Sequence, residues 1–173
     1  MYFSDLASIL QNISTDEKVV FVSGQPGSGK TFAALQFCAV HKESLYFSFE
    51  NLDAAFALRM FCNAHSKIFG GCESWNNFFG CLKNYGNKKH PLVFFDNAGE
   101  RNDKDDFYAA LNNFLESDSK TTVVLLGRPW ETPPIPCREV EINFFSMPQL
   151  ADVCSLLDET AAKLYCLTGA IPA

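Results

Sequence analysis

The chain has 173 residues, 47% of them hydrophobic, a length and apolar content that suit one domain with a sizeable core. Its net charge of −6 and pI near 5.0 supply no general field for nucleic acid, and the short basic run Lys88-Lys89-His90 reads as a solvated turn. Seven cysteines without a C-x-x-C pair fit neither a disulfide framework nor a zinc site, and neither a basic leader nor an apolar run of about eighteen residues occurs, so the expectation is a soluble, reduced, cytoplasmic protein with no membrane partner.

Leu6, Ile9, Leu10 and Ile13 recur at helical spacing and predict a short amphipathic helix ahead of a strand over Lys18 to Ser23. Gly24-Gln25-Pro26-Gly27-Ser28-Gly29-Lys30-Thr31 follows at once, a complete G-x-x-x-x-G-K-[ST] phosphate-binding loop. The next helix, to about His41, is apolar nearly all round, as for an element buried against a central sheet. Ser44 to Phe49 reads as a second strand ending in Glu50-Asn51, and Leu52 to Ala64 as a helix free of breakers.

Trp75, Phe78, Phe79 and Leu82 fall at i, i+3, i+4 and i+7 and predict a further helix with its aromatic stripe in the core. Pro91 to Phe95 is the short apolar run of a strand buried on both faces, and it ends in Asp96. Asp103, Asp105 and Asp106 open a helix whose Phe107, Leu111, Phe114 and Leu115 share one face; carboxylates there complement the helix dipole, so the cluster reads as capping rather than metal binding.

Thr121 to Leu126 is another buried strand, closed by Gly127-Arg128, and the four prolines of Pro129 to Pro136 make an exposed loop beside it. Glu139 to Ile142 alternates as a last strand; Ser146-Met147-Pro148-Gln149 starts a helix towards Leu157, and Glu159 to Leu167 forms another, stopped by Gly169. Strands alternating with helices imply an α/β fold: a P-loop NTPase three-layer sandwich with a mainly parallel five-stranded sheet and helices on both faces.

Glycine lets the backbone N–H groups of Gly24, Gln25, Pro26-flanked Gly27, Ser28 and Gly29 converge on an anion, and the amino end of the following helix adds more. In such a loop Lys30 reaches the β and γ phosphates and the Thr31 hydroxyl ligates Mg²⁺. The spacing differs from the dinucleotide pattern G-x-G-x-x-G, which points to a triphosphate.

Phosphoryl transfer also needs a carboxylate near the metal, a group to orient water and a fixed positive charge. Asp96 answers the first. Asn97 follows it, and an amide orients water without accepting its proton. Glu50, at the end of the second strand, and Glu100, four residues after Asp96, are the carboxylates available; Glu50 ranks first because parallel strand ends line one crevice, its other reading being a helix cap. Arg128, at a strand end, is placed to contact a γ-phosphate, with pairing to Glu131 as its alternative.

Together these residues resemble a P-loop ATPase domain of the AAA+-related STAND group, archaeal-type ATPase branch. The resemblance rests on Gly24 to Thr31, the strand ending in Asp96, Arg128, and Leu164-Tyr165-Cys166-Leu167-Thr168-Gly169-Ala170-Ile171-Pro172, which is similar to that branch's Gly-x-Pro signature. It implies ATP and Mg²⁺ as ligands, strand order 5-1-4-3-2, Pro172 near the nucleotide, and nucleotide-gated switching rather than fast turnover. It further implies that residues 1–173 are one nucleotide-binding domain, the N-terminal part of a longer protein in which 146–173 begin the helices joining a C-terminal lid or winged helix. A protein partner or a second copy of the chain would complete the list of partners.

Tyr46-Phe47-Ser48-Phe49-Glu50 also resembles the second strand of RecA-like ATPases, which would make the chain a DNA-dependent motor; the acidic charge opposes that. An ATP-binding scaffold without effective hydrolysis is the alternative that Asn97 leaves open. A small-molecule kinase is the third, and the scatter of Arg59, Arg101, Arg128 and Arg138 offers no arginine-rich lid for it.

Overall fold

The computed structural model describes residues 10, 13, 17–49, 53–98, 105–117 and 120–142. In chain order the elements are β1 (Val19–Gly24), α1 (Lys30–Val40), β2 (Leu45–Ser48), α2 (Ala54–Ala64), α3 (Ser66–Phe69), α4 (Trp75–Lys89), β3 (Leu92–Asp96), α5 (Asp105–Glu116), β4 (Thr122–Gly127) and β5 (Arg138–Ile142). The five strands form one sheet in the order β2-β3-β4-β1-β5, and every pairing is parallel. Read from the other edge this is 5-1-4-3-2, the order the family resemblance implies.

Burial explains the strand sequences. β1 and β4 are buried at every position, which is why they read as unbroken apolar runs, whereas β5, on the edge, alternates buried Val140 and Ile142 with exposed Arg138, Glu139 and Glu141. One face of the sheet packs Val19, Phe21, Phe47, Val93, Phe95, Val123 and Leu125 against α2 to α5 in an aromatic core. The opposite face presents Val20, Val22, Phe94, Val124, Leu126, Val140 and Ile142 to Ala33 and Ala34 of α1 and to Leu10. Helices on both faces make the three layers.

Local chemistry sets the helix ends. The Asp53 carboxylate accepts from the Ala55 and Phe56 N–H groups at 3.1 and 3.0 Å to start α2, and Ser74 Oγ accepts from Asn77 N–H at 3.3 Å to start α4. Lys88 and Lys89 occupy the last turn of α4, where cations favour the dipole, and His90 closes it with φ of 51°. That run is a helix end rather than a free turn. Asp105 and Asp106 stand in the first turn of α5.

Two further expectations change, and one element was unforeseen. α1 is not buried all round: only Ala33 and Ala34 are fully buried, while Phe32, Leu35 and Val40 are 55%, 47% and 74% exposed. A helix lying on a sheet inserts one stripe, so apolar composition alone overstated its burial. α3 is a single turn too short to leave a periodic signal. Within the proline-rich loop, Ile135 is buried against the aromatic core, so the segment is anchored and not wholly exposed. Residues 146–173, Asp103, Cys154, Cys166 and most of the amino-terminal helix lie outside the described residues.

Phe95 is fully buried and meets the rings of Phe47, Phe49, Trp75, Phe78, Phe79 and Phe107 at centroid distances of 5.0 to 6.5 Å. Phe95→Ala is expected to lower the unfolding free energy by about 3–5 kcal/mol, read as a reduced urea midpoint with unchanged slope.

Candidate functional site

The site forms where β1 turns into α1, at the carboxyl edge of the sheet. Gly24 needs to be glycine because a Cβ there would lie 2.9 Å from both the Ile142 carbonyl oxygen and Ser28 Oγ. Gly27 and Gly29 adopt φ of 79° and 85°, the left-handed region, and Ser28 N–H donates to the Gln25 carbonyl at 3.1 Å. No side chain caps α1 and no acidic residue of its own sits in its first turn, so its positive end faces the loop.

Lys30 Nζ curls back into the loop, donating to the Gly24 carbonyl at 2.7 Å, the Gln25 carbonyl at 3.0 Å and Ser28 Oγ at 3.2 Å. Burial holds its pKa below the ordinary 10.5; Asp96 and Glu131 oppose that shift, and Arg128 adds to it. These four charges therefore share one neighbourhood.

Asp96 ends β3 and is only 3% exposed, so its carboxylate depends on donors from the protein. Thr31 Oγ1 donates to Oδ2 at 2.6 Å, Tyr46 OH donates to the same oxygen at 2.7 Å, and the Asn97 backbone N–H donates to Oδ1 at 2.9 Å. Asn97 itself has φ of 57°, a conformation Asn adopts far more readily than most residues. The chain thus turns sharply after the carboxylate, and the residue type there suits the turn.

Arg128 follows β4 directly. Its backbone N–H donates to Glu131 Oε2 at 2.9 Å and Glu131 N–H donates back to the Arg128 carbonyl at 3.0 Å, closing a tight turn, while the guanidinium carbon lies 5.7 Å from the centre of the Trp130 ring. A Cβ on Gly127 would strike the Phe21 ring at 2.7 Å and Glu131 Oε2 at 2.9 Å, so the glycine admits that turn. The registers Ser23↔Gly127 and Asp96↔Leu126 bring the ends of β1, β4 and β3 level, with the phosphate loop and Arg128 at one edge.

The structure therefore brings Gly24 to Thr31, Asp96 and Arg128 into one neighbourhood. Glu50, Glu100 and Pro172 lie outside the described residues. Sequence reasoning missed Tyr46. Its signal was alternation: in β2, Leu45 and Phe47 are buried while Tyr46 and Ser48 are half-buried, and parallel pairing sets Tyr46 beside Phe94, two residues before Asp96.

This donor set fits a magnesium nucleotide: a cradle that Cβ atoms would fill, an ammonium, and a hydroxyl–carboxylate pair of hard oxygens suited to Mg²⁺, which keeps several of its waters. Among the described residues no group of three His, Cys, Asp or Glu is gathered to hold a metal, the five described cysteines are free, and no helix is long and apolar enough to cross a membrane.

No family model matches the sequence, and no curated protein does. Solved structures do. A signal transduction ATPase with numerous domains (STAND), carrying a tetratricopeptide repeat sensor, from Pyrococcus horikoshii superposes with TM-score 0.60 at 19% identity over 98% of this chain and 28% of its own. A katanin structure described for its self-assembly superposes with TM-score 0.58 at 16% identity over 92% of this chain and 61% of its own. The fold is that of a P-loop NTPase. The chain spans less than two thirds of either neighbour.

The lowered Lys30 pKa sets a pH response. Because the folded chain releases this proton more readily than the unfolded one, the nucleotide-free domain gains stability as pH rises from the depressed value towards 10.5. A bound polyphosphate favours the ammonium and reverses the shift, so binding is expected to take up protons, and affinity to fall, as pH rises through the same window. Calorimetry of ATP binding in two buffers of different ionisation enthalpy measures this uptake; none at alkaline pH would exclude Lys30 from the contact.

Proposed function

We propose that the chain is an ATP-binding, Mg²⁺-dependent P-loop domain that works as a nucleotide-dependent switch and hydrolyses ATP slowly. The observation that carries this reading is the Thr31–Asp96 hydrogen bond, which ties the first turn of α1 to the end of β3 beside the Lys30 ammonium. In this reading the loop amides and Lys30 bind the phosphates, Thr31 and Asp96 hold Mg²⁺ directly or through its water, and Arg128 contacts the γ-phosphate. When bound, Mg²⁺ neutralises charge on the phosphate oxygens. Glu50 is assigned the water-activating role, with Glu100 as the alternative carboxylate, and Pro172 a place near the nucleotide.

The finer assignment to the archaeal-type branch of the STAND group belongs to the same proposal, as do a C-terminal lid or winged helix, a protein partner or second copy, and a cytoplasmic setting, which the free thiols support. A second reading, an ATP-binding scaffold, draws support from Asn97: its amide cannot accept a proton, and its backbone turns away from the extended path of β3.

Phosphate release from Mg-ATP, with Lys30→Ala as the blank, separates the two. Release above the blank is expected for the switch and none for the scaffold. Glu50→Gln is expected to keep nucleotide binding and lose turnover by about 10²-fold or more. Equal turnover in the variant would transfer the role away from Glu50.

A further inference from the structure

We propose that Tyr46 is a positioning residue for the metal carboxylate, and that its hydroxyl sets the Mg²⁺ requirement of the site by holding Asp96 in place. The proposal rests on the nucleotide-binding reading and adds a residue that the phosphate-loop pattern does not contain. Its basis is geometric. Tyr46 OH and Thr31 Oγ1 both donate to Asp96 Oδ2, at 2.7 and 2.6 Å, and Asn97 N–H donates to Oδ1 at 2.9 Å. A carboxylate offers about four acceptor positions, so three are filled by the protein and the group is fixed against rotation from both sides.

Register accounts for the reach. Tyr46 lies opposite Phe94 and Ser48 opposite Asp96, so the phenol must lean about two residues, roughly 6–7 Å, along the strands to meet the carboxylate, a span its ring covers and a serine's side chain would not. Tyr46 also packs against the cluster that α1 forms with Phe94, which keeps the ring on the Thr31 side of the sheet. Its hydroxyl is thereby brought to the one buried carboxylate among the described residues.

The consequence concerns the metal rather than the phosphates. Mg²⁺ demands near-octahedral geometry and tolerates little misplacement of its oxygen partners. With the phenol removed, Oδ2 keeps Thr31 alone, and Thr31 is the very residue assigned to the metal. Groups that orient a metal-binding carboxylate commonly alter metal affinity by about 10- to 100-fold when removed. Lys30 and the loop amides do not touch Tyr46 in the hydrogen bonds described, so metal-free nucleotide binding has no reason to change.

Tyr46→Phe keeps the ring and removes only the donor. Binding of a fluorescent ATP analogue to the wild-type chain and the variant is measured in EDTA and across a MgCl₂ titration, with melting curves of both chains without nucleotide. The expected result is a rise of about 10-fold or more in the half-saturating Mg²⁺ concentration, with affinity in EDTA unchanged. An unchanged Mg²⁺ requirement would overturn the proposal, and so would a parallel loss of affinity in EDTA and in Mg²⁺, which marks a structural role only. Absence of binding by the wild-type chain under both conditions would overturn the nucleotide reading and this inference together.

Discussion

A carboxylate buried at the end of a strand governs the arrangement. Asp96 sits almost out of water, where an unpartnered charge would cost several kcal/mol, so the fold has to deliver donors to it. They come from separate places in the chain: Thr31 from α1, Tyr46 from β2 and the peptide N–H of Asn97. The strand order makes this a global requirement. β4 lies between β1 and β3, so the helix leaving β1 has to pass over β4 to bring Thr31 to Asp96, and the packing of Ala33 and Ala34 with Val124 and Phe94 records that path. Phosphate loop, helix placement and strand order are thus bound to one another through one side chain.

Alternation then divides the labour between the faces of the sheet. In β3 the odd residues Val93 and Phe95 enter the aromatic core, while Phe94 belongs to the α1 side, and the period of two carries Asp96 to that side as well. The dense ring cluster under α2 to α5 fixes the register of the central strands from below. A slip of one residue would drive a carboxylate into a wall of phenylalanine, so the core on the opposite face of the sheet helps to aim the site.

Much of this was legible in the residue order. The phosphate loop is a contiguous pattern, and the strands buried on both faces appear as unbroken apolar runs because α/β sheets are covered on both sides. Asp96 could be singled out because a charge ending such a run is conspicuous. For Tyr46, alternation marks only the face of β2 it occupies; its partner lies fifty positions away and is chosen by the pairing of β2 with β3, which no local pattern encodes. The exposed side of α1 was hidden for the opposite reason: Phe32, Leu35 and Val40 carry no polar mark to distinguish the outer stripe from the inner one. Asn97 was read only for what its amide can do to water, whereas its left-handed backbone supplies a conformational reason for the residue.

Charge gives the site its sense of direction. Desolvation already penalises the Lys30 ammonium, and Arg128 penalises it further; Asp96 and Glu131 offset only part of that. Negative charge added beside Lys30 would favour its ammonium and offset that penalty. The Arg128–Glu131 turn matters in this light. It fixes the arginine by both backbone groups and sets the guanidinium beside an exposed indole. In the proposed reading, a phosphate on the loop would meet this cation at the end of β4, which the strand register sets level with the end of β1.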